Sequence, residues 1–572
     1  MSMRVLAAVA VMAAASPWTA VAQAPAVSVV LKPLAANGEI SQVEVRQSVS
    51  GFAAAAGQTL FTVPARVTTI LGQPYAEADI VARDEAGPLP LAMAVAPAEP
   101  GYPLEMRTFS PRRATQGAIT LSYAADVTPA MSPRRPGPSY DLRGADGGFG
   151  GAFFSFLLLP ADVPADFKLD WDLSAAPAGA RGVSTLGEGA VSLSGPTGGI
   201  NTIFLLGGAV QGYAPPGERF SAYWIGRPPF DPQTASAWSA RSYRVLQDLF
   251  VDPAAPPYVL LMRPFARPRD GGGATNGGFM LEYGLGQMSD VSRRIMFTHE
   301  MVHHFVGSLS GDTGANAWFG EGLAEFYKIR APLRAGLISL DEAAAEIAVM
   351  TGAYYNSSVV DAPFAELGRR RWADGAAQSA PYNRGFMYFV DLDAAVRARS
   401  GGARSLDDLV LAMLASRRAG GAYDEAKWRD LLRAELGEAG PARLDAMLAG
   451  DLIVPPADAF GPCLARRKLE HPRPVLGMSE DAFLMKPAVI SGLQPGSAAA
   501  QAGLRDGDEL VSFQGVAPRI AHSASNVRLD PVVQLVVRRD GVERQAAFST
   551  QGPVVAEYVW SPVAAAGRSC AL

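Results

Sequence analysis

The sequence predicts a multidomain α+β protein, because its pattern changes three times along the 572 residues. Residues 26–190 carry short alternating apolar runs broken by Gly and Pro, which predicts an all-β region. Strands then flank a single helix up to about residue 290, and beyond Asp290 the pattern is helical. Turns and short strands return at the C-terminus. We place an N-terminal domain at 23–192, a middle domain at 193–455 and a C-terminal domain at 463–572, which fits the about three or four domains expected from the length.

The elements follow from apolar periodicity and from the residues that bound each run. The expected strands are 27–31, 42–49 and 118–123 in the first domain, and 202–206 and 258–262 in the second. The expected helices are 232–250, 342–350, 388–399, 406–417, 424–436 and 442–448.

The first 22 residues have the pattern of a secretory signal peptide. Arg4 precedes an apolar run at 5–15, and Ala20-Val21-Ala22 provides small residues before Gln23. The run is too short to cross a bilayer, which takes about twenty residues, and no later segment is apolar enough. The abundance of Ala, Gly, Pro and Arg is typical of bacterial chains of high G+C content. We therefore expect an exported bacterial protein, periplasmic or secreted, with no membrane span.

Charge and cysteine content narrow the function classes. The formal net charge is −5, and the densest basic cluster is the short run 369–371, so nucleic-acid binding is not expected. The two cysteines, Cys463 and Cys570, bracket the C-terminal region. In an oxidising compartment we expect them to form a disulfide, with two free thiols as the alternative.

Residues 299–303 read H-E-M-V-H and lie in an apolar-striped segment that Ser289 or Asp290 can cap as a helix. Residues four apart lie one above the other on a helix, so His299 and His303 can bind one zinc ion. Glu300 would then lie beside the water in the open coordination position. A bare H-E-x-x-H also occurs by chance.

A third ligand is expected from a second helix at 318–327. Seventeen positions separate His303 from Glu321, enough for the first helix to end near Gly307 and a loop to turn back. The alternative is that Glu321 and Glu325 are ordinary surface residues. The helix is apolar around most of its circumference, however, and a buried carboxylate needs a positive partner such as zinc.

These motifs resemble the zinc site of the gluzincin aminopeptidases, the clan of aminopeptidase N and the bacterial glycyl aminopeptidases. Residues 318–324 match the clan's W-x-x-E-G-x-A helix, so the resemblance implies that Glu321 is the third zinc ligand. It also implies a thermolysin-like domain, a β half followed by a helical half. The spacing between His303 and Glu321 is one residue shorter than usual for aminopeptidase N, and Phe305 replaces the Trp of the glycyl group.

Two further blocks resemble the same clan. Residues 382–385 match Y-x-K-G with Arg384 in place of Lys, which implies that Tyr382 donates a hydrogen bond to the reaction's oxyanion. Residues 271–283 resemble the Gly-rich strand along which the peptide lies, and Glu282 would bind the substrate's α-amino group. Tyr283 stands where the clan has Asn or His, and a solvated Glu in a flexible loop is an equal alternative.

The C-terminal residues 492–511 resemble the PDZ segment of bacterial exported proteases. They predict a short helix capped by Ser497 and ended at Gly503, followed by a strand at 509–513. Such domains bind peptides by adding a strand to a sheet edge, although a purely structural PDZ domain is an equal alternative.

The function that the sequence favours is an exported zinc metallopeptidase, an aminopeptidase acting on peptide substrates. Glu300 would act as the general base, Tyr382 would stabilise the oxyanion and Glu282 would bind the free amine. The alternatives are a zinc endopeptidase and a non-catalytic protein that binds peptides through its PDZ domain.

Overall fold

The computed structural model describes residues 24–563, apart from gaps at 68–69, 98–103, 133–138, 253–254, 267–269, 276, 285–287, 313, 372–373, 481–482, 484–486 and 519–528. The predicted signal peptide and Cys570 lie outside the described residues. Within these ranges, no helix combines the length and the apolar character needed to cross a membrane.

The N-terminal part is built of β-strands in three sheets. Their orders are β16-β13-β1-β2-β9-β5-β6, β10-β11-β12-β17-β14-β15 and β4-β3-β8-β7. The strands are β1 Ala26–Ala36, β2 Glu39–Ser50, β3 Phe61–Val67, β4 Ile70–Leu71, β5 Val81–Asp84, β6 Gly87–Pro88, β7 Leu91–Ala96, β8 Leu104–Pro111, β9 Ile119–Asp126, β10 Thr128–Pro129, β11 Arg143–Ala145, β12 Gly148–Ala152, β13 Pro164–Trp171, β14 Arg181–Ser184, β15 Gly187–Glu188, β16 Val191–Pro196 and β17 Phe204–Gly208.

Alternation explains this region, since every second residue of a strand faces the same side. In β1, Val27, Val29 and Leu31 are buried in one apolar cluster, while the residues between them are partly exposed. Strand β17 pairs with β12 and β14. The all-β part therefore extends beyond the predicted boundary at residue 192.

A mixed five-stranded sheet follows, in the order β18-β19-β20-β22-β21. Its members are β18 Gln211–Tyr213, β19 Phe220–Trp224, β20 Tyr258–Pro264, β21 Gly271–Thr275 and β22 Gly278–Tyr283, and helix α1 Pro232–Leu249 connects β19 to β20. Strands β19, β20 and β22 run parallel, and β21 pairs antiparallel with β22 at the edge of the sheet.

Both faces of this sheet are covered, by different parts of the protein. Tyr258, Leu260 and Met262 belong to the apolar core that the helices share. The residues between them, Val259 and Leu261, pack into a second cluster with side chains from the N-terminal sheets. The position of a residue along β20 or β22 therefore decides which part of the protein its side chain contacts.

Helices make up the following part of the chain. They are α2 Asp290–Val306, α3 Ala317–Arg334, α4 Leu340–Tyr355, α5 Phe364–Arg370, α6 Gly375–Ser400, α7 Leu406–Arg418, α8 Glu425–Leu436 and α9 Ala439–Ala449. A β-rich part followed by a helical part agrees with the predicted α+β class. Helix α6 begins thirteen residues before the predicted start at residue 388.

The C-terminal part is a small body inserted in a two-stranded ribbon. The ribbon pairs β23 Leu464–Pro474 with β27 Gln551–Pro562, and Tyr558 contacts Tyr355 of α4 with ring centroids 5.4 Å apart. Between them lie α10 Ala498–Gln501, β24 Glu509–Phe513, β25 Val532–Arg539 and β26 Val542–Ser549, with a separate apolar core. Ser497 caps α10 as predicted, accepting from the backbone N–H of Ala500.

Cys463, at the base of the ribbon, is disulfide-bonded.

Candidate metal centre

Helix α2 is fixed at both ends, so the histidines on it have a defined orientation. The Ser289 side chain accepts from the backbone N–H of Ser292 at 3.1 Å, as the sequence predicts. Gly307 ends the helix with a φ of 67°, a left-handed value that glycine adopts without strain. The guanidinium of Arg417 donates to the carbonyl of Val306 at 2.6 Å. Such a bond satisfies a carbonyl that the helix end leaves without a partner.

The three predicted ligands meet at the contact between α2 and α3. His299 and His303 Nε2 lie 3.1 Å apart, and Glu321 Oε2 lies 3.4 Å from the first and 3.2 Å from the second. Donor atoms about 2.0–2.1 Å from a tetrahedral zinc ion lie about 3.3–3.4 Å from one another. The spacing of the three donors therefore matches the face of a zinc tetrahedron.

The surroundings of Glu321 Oε2 also fit a metal ion. This oxygen is buried and has no hydrogen-bond partner among the described residues, and it faces two imidazole nitrogens. A buried carboxylate oxygen in this position needs a cation. Two imidazoles and one carboxylate are the donor set of a catalytic zinc site, which keeps its fourth position open.

The pKa values of the metal-free side chains also indicate that the site needs a positive charge. Burial lowers the pKa of His299, but Glu325 first and then Glu321 outweigh it and raise the pKa to about 10. Burial raises the pKa of Glu321, while His303 and His299 hold it well below its ordinary value. The site therefore favours a positive charge between the imidazoles and the carboxylate.

A second carboxylate, Glu325, lies behind His299. Its Oε1 is 2.9 Å from His299 Nδ1, and its Oε2 is 2.5 Å from Lys328 Nζ. Lys328 is itself 2.8 Å from Glu346 on α4. A carboxylate on the far nitrogen of a ligating histidine fixes the ring and its tautomer. The sequence places Glu325 one helical turn after Glu321 on a buried helix, which indicates that it lies near the site. The sequence alone did not indicate that Glu325 pairs with His299.

Glu300 lies next to the ligands and is partly buried. Burial raises the pKa of its carboxyl group, against the lowering effect of His299 and His303. A carboxylate with a raised pKa beside these three donors can take up a proton and return it.

Tyr382 reaches the site from α6. Its ring stacks at 15° on the His299 ring, with centroids 5.8 Å apart. Burial, then the charges of Glu321 and Glu300, raise the pKa of Tyr382 well above its ordinary value, so the phenol stays protonated and can donate. Tyr382 lies within α6, which begins at Gly375 with Asp374 as its cap.

A close helix crossing brings Tyr382 into place. A Cβ on Gly322 of α3 would lie 2.6 Å from the Cα of Gly385 on α6, so the two backbones touch. Arg384, which replaces the Lys of the motif, points elsewhere. It is buried and donates to the carbonyls of Ala362 and Val359, which is a structural role.

Glu282 is placed differently from the other candidates. The Gly-rich segment forms β21, whereas Glu282 lies on β22, an inner strand between β20 and β21. Its side chain is fully buried against Arg263, whose Nε lies 3.2 Å from Oε1. The structure thus does not bring Glu282 together with the three ligands, and its role in binding an amine stays a prediction.

His304 is separate from the three ligands. Its ring packs against Tyr258 and Tyr243, with centroids 5.4 and 6.1 Å away. Burial lowers its pKa, so the imidazole is a neutral packing residue.

Solved structures with this fold include an aminopeptidase N family protein from Idiomarina loihiensis. It is 14% identical, with a TM-score of 0.67, and the match covers 94% of this chain and 98% of that one. This likeness shows the fold. An M1 zinc metallopeptidase variant from Deinococcus radiodurans (17% identity, TM-score 0.45, 76% and 95% covered) and yeast LTA4 hydrolase (13%, 0.47, 76% and 68%) align less well. No family model matches the sequence, and no curated protein matches it.

Proposed function

We propose that the protein is a zinc-dependent peptidase, with His299, His303 and Glu321 as the metal ligands. The observation that carries the proposal is the triangle of donor atoms at 3.1–3.4 Å, with Glu300 and Tyr382 beside it. The fold it shares with the Idiomarina protein, which is described as an aminopeptidase N family member, agrees with this function.

Each residue has a task in peptide hydrolysis. When bound, zinc supplies Lewis acidity at the open position, activating water and polarising the scissile carbonyl. Glu300 takes the proton from the attacking water and returns it to the leaving amine. The Tyr382 hydroxyl donates to the oxygen on which negative charge develops. Glu325 holds the His299 ring from behind.

The test is hydrolysis of a mixed peptide pool by the purified protein, before and after chelation and zinc return. We expect about one zinc per chain, in line with a single three-ligand site, and activity that follows the zinc. Glu300→Gln should retain zinc and lose turnover, and His303→Ala should lose both. His304→Gln is the matched control, since this histidine adjoins the site without contributing a ligand. Full zinc content in His303→Ala would remove the metal assignment.

Whether the enzyme removes N-terminal residues is a separate matter. An aminopeptidase needs an acid that pairs with the substrate's α-ammonium group, and the sequence offers Glu282 for it. That role requires the carboxylate to leave Arg263, because the pair is completely buried. The geometry therefore supports a zinc peptidase in general more strongly than it supports an aminopeptidase.

We also propose that residues 475–550 form a PDZ-like domain that binds peptide or protein segments. Its support is the separate core, the capped α10 and the strand β24 that follows it. Because Pro474 pairs with Gln551 across the ribbon, a short Asn-Gly turn can replace the whole body and keep β23 and β27 paired. If the variant without this body still hydrolyses peptides but no longer binds them elsewhere, the body is the binding domain. If the variant no longer hydrolyses peptides, catalysis depends on the body.

Export to the periplasm or the exterior completes the proposal. It rests on the leader-like pattern of residues 1–22 and on the disulfide at Cys463. Fractionation of cells expressing the full chain, with the N-terminus of the recovered protein sequenced, tests it. A mature chain beginning near Gln23 is the expected result.

A further inference from the structure

The last strand of the mixed sheet, β21, carries no acidic side chain. Among the described residues, β21 pairs with β22 alone, and it contacts α2, the helix that carries the two histidines. An extended peptide can add to such an edge by backbone hydrogen bonds. From residue 271 to residue 281 the sequence contains neither Asp nor Glu. A peptide lying along this edge therefore meets glycines, Ala274 and Thr275, whose hydroxyl donates to the carbonyl of Thr202.

The two acids that flank this stretch are both committed to buried arginines. Asp270 Oδ2 accepts from Arg293 Nε at 2.7 Å, and the Asp270 side chain is fully buried. Glu282 is paired with Arg263, and neither side chain has any exposed area. The next acid, Asp290, begins α2 about 13 Å along the helix axis from His299, and it also pairs with Arg293.

Strand alternation turns Glu282 away from the metal centre. Phe279 and Leu281 of β22 belong to the core that α2 and α3 share. Met280 belongs to the cluster formed with the N-terminal sheets, and Glu282 lies on the same face as Met280. Its partner Arg263 donates from Nη1 to the carbonyl of Gly150 at 2.6 Å, in the N-terminal part. Glu282 thus holds the arginine that joins the sheet to the N-terminal part.

The carboxylates at the metal centre are engaged as well. Glu321 completes the donor triangle, Glu325 pairs with His299 and Lys328, and the charge of Glu300 interacts with both histidines. An α-ammonium group leaving water beside a divalent cation needs a negative partner, because burying an unpaired charge is costly. The described residues offer no uncommitted carboxylate along β21.

We propose that the enzyme cleaves peptide bonds within extended chains and does not select a free N-terminus. This inference rests on the proposed peptidase function and names its substrate class. The substrate lies along β21 through backbone hydrogen bonds, and the chain continues past the site in both directions. A blocked N-terminus is therefore no obstacle to cleavage.

The experiment compares matched peptides that have free or acetylated N-termini, with products identified by mass spectrometry. We expect equal kcat/KM for the two members of each pair and cuts at internal bonds. If an acid paired with the amine, acetylation would slow cleavage by about 10-fold to 150-fold, the worth of a hydrogen bond to a charged group. That result, or stepwise loss of single N-terminal residues, would overturn the inference. If neither member of a pair is cleaved in a zinc-dependent way, the proposed peptidase function itself is overturned.

Two matched variants test the role of Glu282 directly. Asp141 Oδ1 accepts from the same guanidinium, Arg263 Nη2, at 3.0 Å, but belongs to the N-terminal part. We expect Glu282→Gln and Asp141→Asn both to lower the Tm and both to leave the ratio of free to acetylated cleavage unchanged. A ratio that falls in Glu282→Gln alone would show that Glu282 binds the amine. If either variant fails to fold, the wild-type peptide pairs still decide the matter.

Discussion

Replacing Glu325 by Gln tests how the chain orients its zinc ligands. The change keeps the shape of the side chain but removes the charge that lies 2.9 Å from His299 Nδ1. The His299 ring then loses the negative charge that faces its Nδ1 and holds its orientation. Loss of such a partner typically weakens metal binding by about 10-fold to 100-fold, or about 1.4–2.7 kcal/mol.

The cost to folding should be smaller than for a broken buried ion pair, which is about 3–5 kcal/mol. The reason is that Lys328, the other partner of Glu325, keeps Glu346 at 2.8 Å. The positive charge on α3 therefore retains a counter-charge in the variant. We expect a folded protein with weakened zinc affinity.

The assay is a zinc competition titration against a chromophoric chelator, with the Tm recorded on the same samples. Glu346→Gln is the matched control, because it also removes a partner of Lys328 but leaves the pair between His299 and Glu325 in place. We expect zinc affinity to fall in Glu325→Gln and to stay near wild type in Glu346→Gln. Equal affinity in both variants would refute the idea that Glu325 positions His299.

Three further outcomes are expected. Tyr382→Phe should lower kcat by about 100-fold to 1,000-fold with little change in KM, the usual loss of one oxyanion donor; an unchanged kcat in steady-state kinetics would remove Tyr382 from the reaction. Gly385→Ala should destabilise the protein by about 1–3 kcal/mol or more in denaturant unfolding, because its Cβ would lie 2.6 Å from the carbonyl oxygen of Trp318. Gly375→Ala, with nothing within 4 Å of its Cβ, is the control and should be tolerated. In the metal-free protein, burial raises the pKa of Glu325 but Lys328 and then His299 hold it at about 2, against an ordinary 4.5. The stability it contributes is therefore complete above about pH 4.5 and lost as the pH falls toward 2, a loss that acid unfolding of Glu325→Gln should no longer show.

Local signals in the sequence predicted the elements that hold the ligands. Ser289 and Gly307 mark the ends of α2, and the structure has a cap at each. The spacing from His303 to Glu321 allows one turn back, and the structure uses it to bring the two helices into contact. Each of these features depends on residues close together in the chain, where capping and helical periodicity act.

Features that depend on distant residues could not be predicted in this way. Glu282 and Asp141 are 141 positions apart in the sequence, yet both pair with Arg263. The sequence shows that Glu282 follows a Gly-rich run, but it does not show that a turn between β21 and β22 separates Glu282 from that run. Which face of β22 the carboxylate occupies depends on the pairing of β20, β21 and β22. The crossing of α3 and α6 at Gly322 likewise needs the tertiary packing.

Charge balance around His299 connects these observations with the proposed metal. Glu325, Lys328 and Glu346 together carry one excess negative charge, and Glu321 adds another. Without metal, the chain compensates by holding a proton on His299, whose pKa is raised to about 10. A zinc ion placed between the imidazoles and Glu321 would bring two positive charges and displace that proton. The buried acids behind the ligands thus offset the charge of the bound metal, so that metal binding should release a proton and weaken as the pH falls.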